Sequence, residues 1–357
     1  MSGQDAPVLI MAGGTGGHIF PGIAVGHELR SRGIPVTWLG TGNGLETRLV
    51  PAAGFGLDTI AFSGVRGKGL ATLLLAPLRL VRAIIAARGV LRRQVPRSVL
   101  SLGGYAAAPG GIAAWLARIP LIVHEQNRTA GFANRLLAKF ARRVLGGFAD
   151  VLPGAEWVGN PVRADIAALP DPNTRYAARS GPLRLLVLGG SQGAQSINET
   201  LPRSVARFAP GERPLIRHQC GTPNTLATRE AYLAAGVAAE VEPFIEDMAG
   251  AYAWADIAIC RAGALTLAEL AAAGVPAVLI PFPQAVDDHQ TRNAEALIAI
   301  GAARLLPQSD ADTAAIAALI AEMSDRKRLA AMASAARTLA RPDAAARIAD
   351  ACLEVAT

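Results

Sequence analysis

The run Val8-Leu9-Ile10-Met11, followed by Gly13-Gly14-Thr15-Gly16-Gly17-His18, decides how this chain folds. An apolar strand, a tight glycine turn and a helix start make a site for anionic or sugar-phosphate groups, because the first amides of a helix point outward. The order recurs 176 residues later, where Leu185-Leu186-Val187-Leu188 leads into Gly189-Gly190-Ser191-Gln192-Gly193. Two such units predict two Rossmann-like domains. A chain of 357 residues is long enough for both.

Around these loops, apolar runs of strand length alternate with helical stretches, the pattern of parallel sheets with crossover helices. Strands are expected near 8–12, 35–39, 57–61, 98–102, 120–124 and 143–146, then near 183–188, 214–218, 239–242, 256–260, 277–280 and 303–306. Helices are expected near 18–32, 45–52, 70–93, 106–117 and 131–139, then near 194–208, 224–234, 264–273, 288–300, 311–323 and 326–355, the last broken at Pro342. The boundary is read at Gly159-Asn160-Pro161, with loop signals after it. This divides the chain into 1–160, 161–340 and a terminal helix over 341–357. Ligands of doubly wound sheets bind at the carboxyl ends of strands, so a cleft between the domains is the expected site.

Charge is unevenly placed. Residues 1–160 carry 17 Lys/Arg and 7 Asp/Glu, whereas residues 161–357 carry 18 and 21. Between Asp58 and Glu125 there are nine basic residues and no acidic one. Such a one-signed field points to an anionic partner. Residues 70–93 combine a Leu/Ile-rich stripe with Arg79, Arg82, Arg92 and Arg93, the character of a surface-bound amphipathic helix. An ordinary crossover helix with a solvated face is the plainer alternative. Trp115 either joins that patch or lies in the core. Nucleic acid fits less well, because no aromatics interleave the basic positions. Residues 70–90 and 98–117 are too interrupted by Pro, Gly or Arg for a membrane span. No basic segment precedes Val8, so no secretory signal is expected. The scattered Cys220, Cys260 and Cys352 fit a reducing compartment and no zinc cluster.

The glycine loop at 13–18 departs from the dinucleotide fingerprint: Ile19 stands where the third glycine belongs, and no acidic residue closes the second strand. A nicotinamide enzyme is therefore disfavoured. His18 sits at a helix start, where the positive helix end favours neutral imidazole, a proton acceptor. His124-Glu125-Gln126-Asn127 ends a strand with four polar residues that are hard to explain as core, with Glu125 a second candidate base. Thr266-x-x-Glu269 admits a capping-box reading. Asp310-Ala311-Asp312 resembles a metal-binding DxD string, but opening a helix it reads as a cap.

Taken in order, GGTGGH at 13–18, SLGGYAAAPGG at 101–111, HEQN at 124–127, GNPVR at 159–163, GGSQGA at 189–194, RAGALTLAEL at 261–270 and DDHQ at 287–290 closely resemble the MurG family of bacterial glycosyltransferases. The resemblance spans essentially the whole chain. It implies an α/β GT-B fold, two Rossmann-like domains facing across a cleft, with the last helix packing back on the first domain. It implies transfer of N-acetylglucosamine from UDP-N-acetylglucosamine to lipid I, the undecaprenyl-linked muramoyl-pentapeptide. The family is peripheral on the cytoplasmic side of the inner membrane, with cell-wall and division proteins as possible partners. No cofactor and no protein-bound metal is implied.

Carried over by position, the resemblance makes His18 and Glu125 the candidate catalytic residues. Thr15, Gly16, Gly17, Asn127, Arg163, Ser191, Ile245, Ala264, Leu265, Thr266, Leu267, Ala268, Glu269 and Gln290 become candidate substrate contacts. The uracil would meet the Ile245 backbone, the diphosphate the helix start at 264–266 and Ser191, the ribose Glu269, and the sugar Gln290. A UDP-N-acetylglucosamine 2-epimerase and a nucleotide-sugar-sensing adaptor are the rival readings.

Overall fold

The computed structural model describes residues 6–63, 75–190 and 193–355. They form two compact units, one ending at Val162 and regaining the chain from Arg341, the other spanning Arg163–Ala340.

The first unit is a parallel sheet of β1 (Val8–Ala12), β2 (Val36–Thr41), β3 (Gly56–Ile60), β4 (Ser98–Gly103), β5 (Leu121–Glu125), β6 (Arg143–Gly146) and the two-residue β7 (Glu156–Trp157), in the order 3-2-1-4-5-6-7. Its helices are α1 (Gly16–Ser31), α2 (Glu46–Ala52), α3 (Ala76–Gln94), α4 (Ala107–Leu116) and α5 (Phe132–Leu137). Successive side chains of a strand face opposite ways. Val8, Ile10 and Ala12 accordingly pack with Ile19, Val25 and Leu29 of α1, whereas Leu9 and Met11 pack with Ala83, Ala87 and Val90 of α3. Both faces are covered, which is why the strand reads as an unbroken apolar run. Each buried Val, Leu, Ile or Met among them contributes about 1.5–3 kcal/mol.

The second unit repeats the plan with β8 (Arg184–Leu188), β9 (Leu215–Gln219), β10 (Glu240–Glu242), β11 (Ile257–Cys260), β12 (Ala277–Leu279) and β13 (Ala303–Leu305), all parallel in the order 10-9-8-11-12-13. Its helices are α6 (Ala164–Ala167), α7 (Pro172–Ala177), α8 (Gln195–Val205), α9 (Thr225–Ala234), α10 (Met248–Trp254), α11 (Ala264–Ala273), α12 (His289–Ala299), α13 (Thr313–Glu322) and α14 (Arg326–Arg337). The closing helix α15 (Ala344–Glu354) belongs to the first unit. Its Ile348 and Cys352 enter that core, and Ser98 Oγ donates to the Cys352 carbonyl at 2.7 Å.

Strand order reverses between β1 and β4 in the first sheet and between β8 and β11 in the second. The loops leaving these neighbouring strands diverge and open a crevice at their carboxyl ends. Both glycine loops leave such strands.

Several expectations need correction. Four elements went unread: β7, α6, α7 and α10. Of these, α7 carries its own start signal, since the Asp171 carboxylate accepts from the Asn173 amide just ahead of Pro172 at the first helical position. The helical reading of 70–75 falls largely outside the described residues. His124, Glu125 and Gln126 are core residues after all, each at most 1% exposed and hydrogen-bonded. Trp115 is exposed beside Phe140, not in the core. Asp312 does cap α13, accepting from the Ala315 amide at 2.7 Å.

Two buried histidines make stability pH-dependent. His124 in β5 lies between the Gly159 carbonyl and the Gln126 amide. His218 in β9 lies between the Tyr232 hydroxyl and the Asn198 amide oxygen. Burial lowers their pKa from the ordinary 6.5, to about 4 for His124 and about 3 for His218. Between those values and 6.5 the unfolded chain binds more protons than the folded one, so stability rises with pH. The contribution of neutral burial is complete above pH 6.5 and is lost on acidification at about 1.4 kcal/mol per pH unit for each ring. Urea unfolding is therefore expected to shift to markedly lower midpoints from pH 7 to pH 5; equal midpoints would contradict this account.

Candidate active site

In the first unit the crevice is lined by the β1 loop and the β4 loop. Gly14 has φ +84°, and Thr15 is the extended residue that starts α1. The amides of Gly16 and Gly17 are the first two of the helix, with no intrahelical acceptor, and so face outward. His18 follows, partly buried, with Nδ1 3.1 Å from the Gly13 carbonyl. A carbonyl oxygen only accepts, so Nδ1 carries the proton and Nε2 of the neutral ring keeps its lone pair. The Thr15 hydroxyl lies 3.4 Å from the same Nδ1. Gly103, at φ +109°, leaves room for the ring: a Cβ there would lie 3.0 Å from His18 Nε2.

Glu125 ends β5 and is 1% exposed. One carboxylate oxygen accepts from the Asn127 amide at 3.0 Å and side chain at 3.3 Å; the other accepts from the Gly131 amide at 3.1 Å and Asn134 at 2.9 Å. A carboxylate filled by four donors braces the turn and holds Asn127 in place. Its lone pairs are committed, in contrast to His18 Nε2.

In the second unit, Ser191 lies outside the described residues. Around it, Gly189 donates to the Gln219 carbonyl, and Gly193 adopts φ +74° just before α8. The neighbouring crevice loop, after β11, is clamped at Ala262. Its amide donates to Gln290 Oε1 at 3.2 Å, and its carbonyl accepts from Asn293 at 3.3 Å. Gln290 Oε1 also accepts from the Phe282 amide at 2.9 Å, which turns its NH₂ into the end able to meet a ligand. Arg261 spends its guanidinium on the Ile280 and Pro281 carbonyls, Ser196 and Gln308, tying three loops together.

Gly263 is the residue that starts α11, so the capping-box reading of Thr266 and Glu269 is not realised. The amides of Ala264, Leu265 and Thr266 are the outward-facing donors of this ten-residue helix. Leu267 and Ala268 lie further along α11; the Leu267 amide donates to the Gly263 carbonyl and its side chain is buried.

Glu269, one turn on, accepts from the Tyr252 hydroxyl at 2.9 Å, with Arg163 Nε 4.0 Å away. Burial pushes its pKa up, against the opposing effects of Tyr252 and Arg163. Ile245 is buried by its side chain in the loop between β10 and α10. Residues unread in the sequence thus hold the site together: Glu46, Asn134, Tyr252 and Asn293. Their signal is hydrogen bonding to backbone or to carboxylates distant in sequence, which has no local pattern.

Two parallel sheets with phosphate-type helix starts at their switch points make the GT-B architecture. The glycosyltransferase family 28 N-terminal domain matches residues 8–146, and the family 28 C-terminal domain matches residues 184–348. The chain is 59% identical, over 98% of its length and 96% of the relative's, to the UDP-N-acetylglucosamine--N-acetylmuramyl-(pentapeptide) pyrophosphoryl-undecaprenol N-acetylglucosamine transferase of Xylella fastidiosa. It superposes on the crystal structure of Acinetobacter baumannii MurG with TM-score 0.88 at 39% identity, over 98% of this chain and 99% of that one. A UDP-GlcNAc 2-epimerase from Neisseria meningitidis, at 14% identity and TM-score 0.67 over 98% of this chain and 100% of that one, shares the fold alone. The chain belongs to the MurG family of N-acetylglucosaminyltransferases.

Proposed function

We propose that the chain moves N-acetylglucosamine from UDP-N-acetylglucosamine to the C4 hydroxyl of the N-acetylmuramoyl-pentapeptide on undecaprenyl diphosphate, turning lipid I into lipid II. The observation that carries the mechanism is the His18 ring, protonated at Nδ1 by its bond to Gly13 and open at Nε2. The acceptor hydroxyl attacks C1 of the α-linked sugar, its proton passes to Nε2, and the C1–O bond to the diphosphate breaks. UDP leaves with the electron pair and the product is β-linked. The amides of Ala264, Leu265 and Thr266, with the α11 dipole, hold the growing negative charge. Glu269 takes the ribose, Gln290 the sugar, Ile245 the uracil and Arg163 completes this donor side. Thr15, Gly16 and Gly17 receive the acceptor diphosphate, and Asn127, fixed by Glu125, a sugar hydroxyl. Ser191 retains its place as a diphosphate contact in this reading.

The same reading puts the enzyme at the cytoplasmic face of the inner membrane. Among the described residues no helix is long and apolar enough to cross a bilayer. Leu75 and, on α3, Leu78, Val81 and Ile85 form an exposed apolar row, with Arg79 and Arg82 exposed among them. Trp115 and Leu116 of α4, which packs against α3, are exposed as well. Arg66 and Lys68, part of the same basic stretch, lie outside the described residues. Each basic residue at an anionic surface contributes about 1 kcal/mol.

Both halves are tested with labelled donor and an acceptor analogue in neutral or anionic vesicles. Sugar transfer is expected only with acceptor. Donor epimerisation without acceptor, or donor binding with no UDP release, would favour the rival readings. Arg79→Glu with Arg82→Glu is expected to weaken binding to anionic vesicles; unchanged partitioning would remove the membrane part.

A further inference from the structure

Gly13 and Gly14 share one peptide group, and that group is held at both ends. Its carbonyl accepts from His18 Nδ1 at 3.1 Å, and its N–H donates to Glu46 Oε2 at 2.9 Å. None of the described peptide bonds is cis, so the two bonds leave this group in opposite directions. Glu46 opens α2, is 0% exposed, and takes two further bonds on Oε1, from the Thr41 amide at 2.9 Å and hydroxyl at 2.7 Å. Glycines make room for it: a Cβ on Gly13 would lie 2.6 Å from Oε1, one on Gly40 2.7 Å from Cγ, and one on Gly44 would overlap the carboxylate.

We infer that Glu46 is a positioning residue that acts on His18 through the Gly13–Gly14 peptide, in the role a carboxylate plays when it orients a histidine base directly. A carboxylate bonded to a peptide N–H polarises that peptide and strengthens its carbonyl as an acceptor. The Gly13 carbonyl then holds the Nδ1–H tautomer and the ring plane, which keeps the Nε2 lone pair available. Burial alone would raise the Glu46 pKa, but the Gly14 and Thr41 hydrogen bonds reverse it to below the ordinary value, so the group is anionic at neutral pH. The inference rests on reading the 13–18 loop as the one that carries the base.

The test is a double-mutant cycle on the full chain, with labelled UDP-N-acetylglucosamine, an acceptor analogue and a separate UDP titration. Glu46→Gln keeps the shape but removes the charge and sets an amide donor against either the Gly14 N–H or the Thr41 N–H. It is expected to lower kcat by about 10²-fold through misplacement of the base, with UDP affinity unchanged. Thr41→Val, which removes one bond and adds no donor, is expected to lose roughly tenfold. Glu46→Gln in a His18→Ala background is expected to cost nothing further, because both act through one group. Parental turnover in Glu46→Gln, a parallel loss of UDP affinity, or losses that add in the double variant would each overturn the inference. Normal turnover in His18→Ala alone would instead remove the reading of the loop beneath it, and the inference with it.

Discussion

Alanine in place of His18 is expected to lower turnover by about 10²–10⁴-fold, with UDP affinity unchanged. The loss is large because the variant removes the Nε2 lone pair that the Nδ1–Gly13 bond keeps available. The rival, Glu125, is spent on Asn127, Gly131 and Asn134. Its removal would release a turn rather than delete a proton acceptor. Glu125→Gln is thus expected to raise the KM for substrate held by Asn127 along with lowering kcat, whereas His18→Ala acts on kcat alone. The measurement is steady-state kinetics in both substrates. Near-parental kcat in His18→Ala, with collapse in Glu125→Gln, would reverse the two assignments.

The strands were legible because both faces of each parallel sheet are covered, so β1 and β8 read as unbroken apolar runs. The glycine loops were legible because tight turns ahead of helices demand glycine at fixed places. What the sequence concealed depends on distance. Glu46 lies 32 residues from the Gly14 amide it holds, and its other partners are the Thr41 amide and hydroxyl and the missing side chains of glycines. His124 and Gln126 looked too polar for a core because their hydrogen bonds run to each other, to the Gly159 carbonyl and, at the Gln126 backbone carbonyl, to Asn160. The capping-box alternative at Thr266 and Glu269 fails for the same reason. The spacing matched a capping box, but the helix starts one residue ahead of Ala264 and Glu269 answers to Tyr252, 17 residues back.

Alanine at Gly104 is expected to be as damaging to activity as any single methyl in the first unit. Gly104 has φ +92°, and a Cβ there would lie 2.5 Å from the Gly13 carbonyl oxygen and 2.8 Å from Gly13 C and N. The obstructing atoms are backbone, so no rotamer relieves the overlap. Strain at such a φ costs about 1–3 kcal/mol, and the overpacking about as much again. The chain relieves it by moving the Gly13 carbonyl, the atom that holds His18 Nδ1. Melting is expected to fall by about 2–4 °C for each kcal/mol lost, and kcat by about 10²-fold for a displacement near 1 Å. Gly33→Ala separates the two effects. Gly33 has φ +76° with nothing within 4 Å of its added Cβ, so that variant carries strain without overlap. It should melt lower yet turn over at the parental rate. If Gly104→Ala behaved as Gly33→Ala does, the contact between the two loops would have no part in holding the base.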